Sequence, residues 1–508
     1  MSINIPRYRH TDVAAGQILF LNVNLKEQLL VGTFEHMLDE LIGKIIDISI
    51  FDKKYKNAQT GASAIPPSVL LKLIFYGYYK GHISSRQIWE LNKNNIIAKA
   101  LTGDMNIHWT TIAEFISGNA QEVDEIFAKV LMYCNELGLI GGETFAGDGL
   151  RLPSNASIEN SGTKEQLEKR LELYKKMSNK LISRHQKKDA EGEVDEETKI
   201  RFENRQKHIN RQVQKISNFL ETMKEKIGRG GDEIQSNITD NESAMIRSSK
   251  GFIQGYIGIA VADQKSQVIV TAEAVGTANE GEHLPELLDK NESNLEAAGV
   301  KPLDKGQERT YLWDANYFSE ENLEASEERG VESIIPDSQR NRGVDCEGKK
   351  KFEANDFEYN AEENNYKCPN GKILEHKGQT KLNGNMGEIF QASLTDCKAC
   401  PLFSQCSWSK KEQSELGQGR KLIIVNSNKP ENKCNKMREK MGTEEYQEKY
   451  SQRIQIVEPV FANIGYCKGL NRFTLRGKVK VNCQWKLYCM VHNLGKCLNE
   501  RNERRKSA

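Results

Sequence analysis

Hydrophobic and polar positions change period several times along the chain, and each change marks an element. Residues 66–81, PPSVLLKLIFYGYYKG, are almost continuously apolar behind two prolines, which predicts a compact buried helix. Ser84 with Gln87, and Thr111 with Glu114, have capping-box spacing and predict two further helix starts. From about 164 to 228 the composition turns to Lys, Glu, Gln and Arg. There Leu167, Leu171, Tyr174, Met177 and Leu181, then Ile209, Val213, Ile216, Leu220, Met223 and Ile227, recur at three- and four-residue steps. The polar run KKDAEGEVDEETK between them predicts the turn of an antiparallel pair of long helices, a structural arm or dimer contact.

Strand patterns flank this arm. ETFAGDGLRL (143–152), GYIGIAVAD (255–263), QVIVTAEAV (267–275), the run Thr310 to Trp313, and VESIIP (331–336) read as strands, the second and third as a hairpin. HLPELLDKN reads as a helix, and Ser319 followed by Glu320 and Glu321 as a capped helix start with acids at its positive end. The order of strand, hairpin, helix, strand, helix and strand predicts an α/β fold, a mixed sheet flanked by helices. The short helices before residue 117 fit a helix-turn-helix DNA reader and a plain packing bundle equally.

The 508 residues carry a net charge of +1, but the distribution is uneven. Residues 459–508 hold eleven Lys and Arg against two acids, Glu500 and Glu503, a balance of +9 that points to a polyanionic partner, with a solvated basic tail as the alternative. No apolar run approaches a membrane span, and the start MSINIPRYRH has no secretion-signal pattern, so a cytosolic protein is expected. Eleven cysteines in such a chain are expected to be mostly reduced thiols.

Three acids stand out by context. Asp148 lies in the first strand segment, Asp314 follows the strand at 310–313, and Glu458 lies in YSQRIQIVEPVFANI. If 450–464 is helical, Tyr450, Arg453, Val457, Phe461 and Ile464 form one stripe, with Glu458 on its border and able to face the sheet; Pro459 marks a kink or a new first turn. Asp263 and Asp240 are rival carboxylates, each with turn or cap spacing. Arg453, on the same helix as Glu458, suits a phosphate contact; Tyr450 suits the core, a base or a phosphate.

From about residue 60 to 497 the chain resembles the bacterial insertion-sequence transposases of the DDE type. Asp148 in GDGLRLPSNAS, Asp314 in DANYFSEEN, and Glu458 in Y-x2-R-x4-E followed by PVFANI, NRFTLRG and HNLGK match that family's three acid motifs in order. The resemblance implies an RNase H-like catalytic domain with Asp148, Asp314 and Glu458 as catalytic residues. It departs from the family at Asn316, where Gly is usual, and at Gly465, where many members have Lys; Lys468 is the nearest candidate for that lysine's phosphate contact. Implied cofactors are two Mg (or Mn) ions, since hard cations about 4 Å apart, held by carboxylates, activate the attacking oxygen and stabilise the leaving oxygen at phosphorus. Implied partners are double-stranded DNA, at the element ends and at the target, and a second copy in a homodimeric DNA complex, with no membrane. The implied location is the bacterial cytoplasm, at the nucleoid. Arg472, Arg476, Lys478 and Lys480 are expected on the DNA backbone.

About 110 residues separate VESIIP from the Glu458 helix, too many for a plain connection, so they are expected to form an insertion. Within it Cys368, Cys397, Cys400 and Cys406 have the spacing of a structural zinc site; Cys346, His376 and Cys434 are substitute ligands, and the family pattern supports the first four. The expected units are a helical, DNA-binding domain at 1–135, a helical arm at 164–230 and the cysteine insertion at 341–445. The remaining segments, 136–163, 231–340 and 446–508, form the catalytic domain and its basic tail. Two other readings stay open: a decayed, non-catalytic DNA-binding protein, and a metal-dependent nuclease without joining activity.

Overall fold

A computed structural model describes residues 24–55, 63–190, 195–228, 231–248, 251–304, 306–337, 351–382, 385–406, 412–425 and 433–507. Cys346 lies outside them. The expected α/β class holds. Strands β1 (Thr144–Pro153), β2 (Ala244–Ser248), β3 (Gly251–Asp263), β4 (Ile269–Val275), β5 (Thr310–Leu312) and β6 (Glu332–Ile334) form one mixed sheet. Its order is β6-β5-β1-β3-β2, with β4 sharing the outer edge of β3. β1 runs antiparallel to β3, placing Asp148 opposite Ala260, and parallel to β5, with Ala146 opposite Leu312.

The N-terminal region is helical: α1 (Phe34–Leu41), α2 (Pro67–Tyr79), α3 (Ser85–Asn94), α4 (Ile96–Thr102), α5 (Trp109–Gly118) and α6 (Ala120–Glu136). The Ser84–Gln87 capping box forms at the start of α3 as expected. The Thr111–Glu114 box does not. α5 begins earlier, at Trp109, with the His108 ring accepting from the Thr110 amide, so Thr111 is already inside the helix. The arm is present as α7 (Lys164–Ala190) and α8 (Glu196–Thr222), and its turn falls largely outside the described residues. α9 (Leu284–Ala297) and α10 (Glu320–Glu328) follow, the latter capped by Ser319.

The largest departure concerns the basic end. Residues 478–507 form one helix here called α13, after α11 (Lys433–Lys440) and α12 (Glu444–Ala462). The middle of α13 is core rather than a solvated tail: Trp485, Leu487, Tyr488, Cys489, Met490, Val491 and Leu494 are fully buried. The Trp485 indole donates to the Ile259 carbonyl at 2.9 Å, and the Asn493 amide brackets the backbone of Ile269 at 2.8 and 2.9 Å. On the other side the Tyr488 ring stacks on Tyr78 at 4.1 Å. Its buried lysine is compensated, since Lys486 pairs with Asp124 at 2.6 Å and Glu273 at 3.4 Å. The sheet and the N-terminal helices therefore share one hydrophobic core, with α13 between them.

The insertion carries a separate five-stranded antiparallel sheet of Glu358–Asn360, Asn365–Lys367, Ile373–Leu382, Asn385–Ala392 and Lys421–Val425. Phe357, Tyr366, Leu374, Phe390, Leu422 and Ile424 close a small core of its own.

Candidate active site

The pairing of β1 with β5 ends at Ala146 opposite Leu312. Asp148 and Asp314 each follow two residues later. In a parallel ladder alternate residues share a face, so the two carboxylates emerge side by side where β5 stops. The surrounding sequence makes this approach feasible. A β-carbon at Gly147 would lie 2.1 Å from the Trp313 ring, and one at Gly149 would lie 2.0 Å from Glu280 Oε2, so both glycines flanking Asp148 are dictated by close packing.

Asp148 Oδ1 accepts the Gly149 amide at 2.8 Å, and its Oδ2 faces Arg453 Nη2 in an ion pair of 2.7 Å. Burial pushes the Asp148 carboxyl above its usual range; Arg453 and the Gly149 amide pull it down, and Asp314 adds to the rise. Asp314 Oδ1 accepts from Ala315 N at 2.7 Å, and its Oδ2 from the Asn316 amide at 3.1 Å. Asn316, where the family resemblance leads one to expect Gly, thus holds the second acid as well as forming the turn.

Arg453 comes from α12, which continues through Pro459. The proline cannot donate to the Gln455 carbonyl four residues back, and the Gln267 side chain donates there instead at 2.9 Å. Of the expected stripe, Arg453, Val457 and Ile464 are buried, and Tyr450 and Phe461 half-buried. Tyr450 stands in the field of the site. Burial raises its hydroxyl pKa, Asp314 and Asp148 reinforce the rise, and Arg453 opposes it. Glu458 is exposed: at helical spacing it falls off the Arg453–Val457–Ile464 stripe, and no hydrogen bond or ion pair among the described residues joins it to Asp148 or Asp314.

The remaining predicted residues divide. Arg472, Arg476, Lys478 and Lys480 are exposed, with Arg476 Nε donating to the Asn155 carbonyl at 2.7 Å. Lys468 is not presented to a phosphate: it is 4% exposed, and its ammonium donates to Asn463 Oδ1 at 2.6 Å and lies over the Tyr79 ring. Burial lowers its pKa to about 8. The rival Asp263 is a turn acid that accepts the amides of Gly141, Gly142 and Lys265, and Asp240 accepts the Tyr256 hydroxyl at 2.9 Å.

One acid was missed. Glu280, in the loop after β4, is 3% exposed and lies beside the pair, as Asp148 and Asp314 both push its carboxyl pKa upward, after the larger effect of burial. Its only sequence signal is an acid just before a helix, which reads as an ordinary helix-start charge.

Two carboxylates that emerge together, Asp314 adding to the cost of ionising Asp148, suit a hard divalent cation. Among the described residues, however, no three His, Cys, Asp or Glu side chains are gathered closely enough to hold one metal ion. At the acid pair the reason is visible: Arg453 occupies Asp148 Oδ2, Asp314 is turned to its own loop, and Glu458 stands apart. In the insertion, Cys368, Cys397, Cys400 and Cys406 are neighbours: burial raises the thiol pKa of Cys397 and of Cys406, and nearby cysteines, Cys368 and Cys400 among them, add to the rise at each. Backbone amides donate to two of the sulfurs, Lys372 N to Cys368 at 3.3 Å and Arg420 N to Cys397 at 3.2 Å. The substitute ligands lie elsewhere. His376 packs on Phe390, and Cys434 is buried beside Glu320 in α11.

No curated protein and no solved structure matches the chain. Two family models do. Residues 27–118, spanning α1 to α5, match the model described as Transposase domain (DUF772). Residues 367–498, which contain the four cysteines, Arg453, Glu458 and most of α13, match Transposase DDE domain. With one match on each side of the strands that carry Asp148 and Asp314, the two family matches support a DDE-type insertion-sequence transposase.

Proposed function

We propose that this transposase binds the ends of its own insertion sequence, cuts the DNA there in a divalent-metal-dependent step and joins it to a target, on an RNase H-like sheet. The observation that carries the reading is the in-register emergence of Asp148 and Asp314 beyond the last β1–β5 pair. The strand order, three antiparallel strands extended by two parallel ones on the β1 edge, supports the RNase H-like assignment.

Asp148 and Asp314 are the proposed metal ligands, with Glu458 as the third acid from α12. Two Mg or Mn ions held there would supply charge stabilisation to the attacking and leaving oxygens at phosphorus. Arg453 has a second use besides neutralising Asp148. Its Nε, buried without a hydrogen-bond acceptor, is a donor suited to a phosphate oxygen. Tyr450 sits where it can orient the same group. The exposed Arg472, Arg476, Lys478 and Lys480 would track the backbone of double-stranded DNA, and the α7–α8 arm would reach the second subunit of a homodimer on that DNA. The four cysteines suit a structural zinc, as sulfurs already accepting backbone amides are oriented for a soft cation. Among the described residues no helix is long and apolar enough to cross a membrane. A cytoplasmic, nucleoid-associated protein fits the proposed DNA substrate.

The test is incubation of the purified protein with Mg²⁺ and a fragment bearing the element ends, followed by sequencing of products. Joined products support the proposal. Cut but unjoined ends would favour a nuclease, and binding without cutting a decayed DNA-binding protein.

A further inference from the structure

Beneath the acid pair, Glu280 poses an energetic problem. Its residue is 3% exposed, and Oε2 has no hydrogen-bond partner. Oε1 is the satisfied oxygen: it accepts the Asn316 amide at 3.0 Å and faces Arg151 Nη2 at 3.4 Å. The same Asn316 amide donates to Asp314 Oδ2 at 3.1 Å. Glu280, Asn316 and Asp314 therefore form one linked unit, and Oε2 lies over Gly149, directly after Asp148, at a position that any β-carbon there would fill.

An unpartnered carboxylate oxygen in a buried site is costly, and the cost grows beside two more carboxylates. Two cations stand against these three acids, Arg453 on Asp148 and Arg151 on Glu280, the latter at long range. An arrangement that leaves negative charge in excess and one oxygen unsatisfied is matched to an incoming cation. We infer that Glu280 is a positioning residue of the cation site: it fixes Asp314 through Asn316, and its charge, from below, strengthens the hold of the two aspartates on a divalent ion. Gly149 leaves room for both Glu280 Oε2 and the Ile257 side chain, which a β-carbon there would meet at 2.0 and 2.5 Å. The inference rests on the reading of Asp148 and Asp314 as metal ligands.

The experiment measures Mn²⁺ binding to the full chain by calorimetry and thermal unfolding without metal, for wild type, Glu280→Gln, Glu280→Asp and Asp314→Asn. Glu280→Gln keeps the shape and the acceptor for Asn316 but removes the charge. It should weaken Mn²⁺ binding about 10- to 100-fold, the range for a residue supporting metal ligands, while unfolding without metal at the same or a higher temperature. Glu280→Asp, which keeps the charge, should retain more affinity than Glu280→Gln. Wild-type affinity in Glu280→Gln, a loss explained by a lower unfolding temperature, or the reverse order of the two variants would each overturn the inference. If wild type and Asp314→Asn bind Mn²⁺ equally, the ligand reading itself fails, a result distinct from any of these.

Discussion

Arg453, on the buried face of α12, ion-pairs with Asp148 at 2.7 Å and so ties α12 to the central strand β1 at the acid pair. Both groups are largely buried, and removing one leaves the other uncompensated. Arg453→Ala should lower stability by about 1–3 kcal/mol, below the figure for a fully buried pair because Asp148 keeps some solvent access. Cleavage should fall by roughly 10²- to 10³-fold, the usual loss for one preorganised donor. Arg453→Lys should not restore it, since an ammonium cannot serve the carboxylate and a phosphate together. Full activity in Arg453→Lys would remove the guanidinium from the site.

Asp148→Asn and Asp314→Asn preserve shape at strand positions whose neighbours are set by the ladder. Each should leave DNA binding close to wild type and reduce cleavage and joining by roughly 10³-fold or more, as should Glu458→Gln; Asp314→Asn should also keep the wild-type unfolding temperature, whereas Asp148→Asn, which strips Arg453 of its counter-charge, should lower it. The Asp148→Asn, Asp314→Asn double variant should be little worse than either single one, because members of one metal site are not additive. Glu458→Gln is the sharpest of the three, as its side chain stands apart from the pair. Wild-type cleavage in that variant would leave the two aspartates without it.

Neutralising Arg472, Arg476, Lys478 and Lys480 together should weaken binding to any DNA sequence. The log–log salt slope should flatten by up to about 3 to 4, at roughly 0.9 for each phosphate that is no longer neutralised. A slope equal to that of wild type means these side chains do not touch the backbone. Lys468→Ala, by contrast, should leave the slope unchanged, since the wild-type ammonium is buried on Asn463.

Lys468 also gives a pH dependence. Its folded-state pKa is about 8 against an ordinary 10.5, so between those values the unfolded chain holds a proton that the folded chain has released. Stability from this group therefore rises with pH across about 8 to 10.5 and is lowest below 8. Unfolding of wild type measured against Lys468→Met should show the variant relatively more stable at about pH 7 than at about pH 10. A difference independent of pH would show that burial does not depress this amine.

Protein purified without chelator should contain about one zinc per chain, lost on Cys397→Ser or Cys400→Ser. The insertion should then become sensitive to proteolysis, because its core is small and separate from the main one. Folded, active protein free of zinc would dismiss the metal and leave four reduced thiols.

Local periodicity alone determined most elements of this protein. The α2 helix, the Ser84 and Ser319 caps, the paired helices of the arm, the β3–β4 hairpin and the strands leading to Asp148 and Asp314 each follow from nearby residues, because caps, helical stripes and strand runs are short-range effects. Motif order likewise marked Asp148, Asp314 and Arg453. What only tertiary structure decided depends on partners distant in sequence. The basic count of the last fifty residues hid a core helix, since charge totals do not reveal that Trp485, Tyr488 and Asn493 meet the sheet and α2. Lys468 looked available until Asn463 and Tyr79 enclosed it, and Glu458 took the solvent side because Val457 beside it took the core. Glu280 had no local mark at all: it joins the acids only because the loop after β4 folds over Gly149 and Asn316, a meeting of three segments that no window of sequence contains.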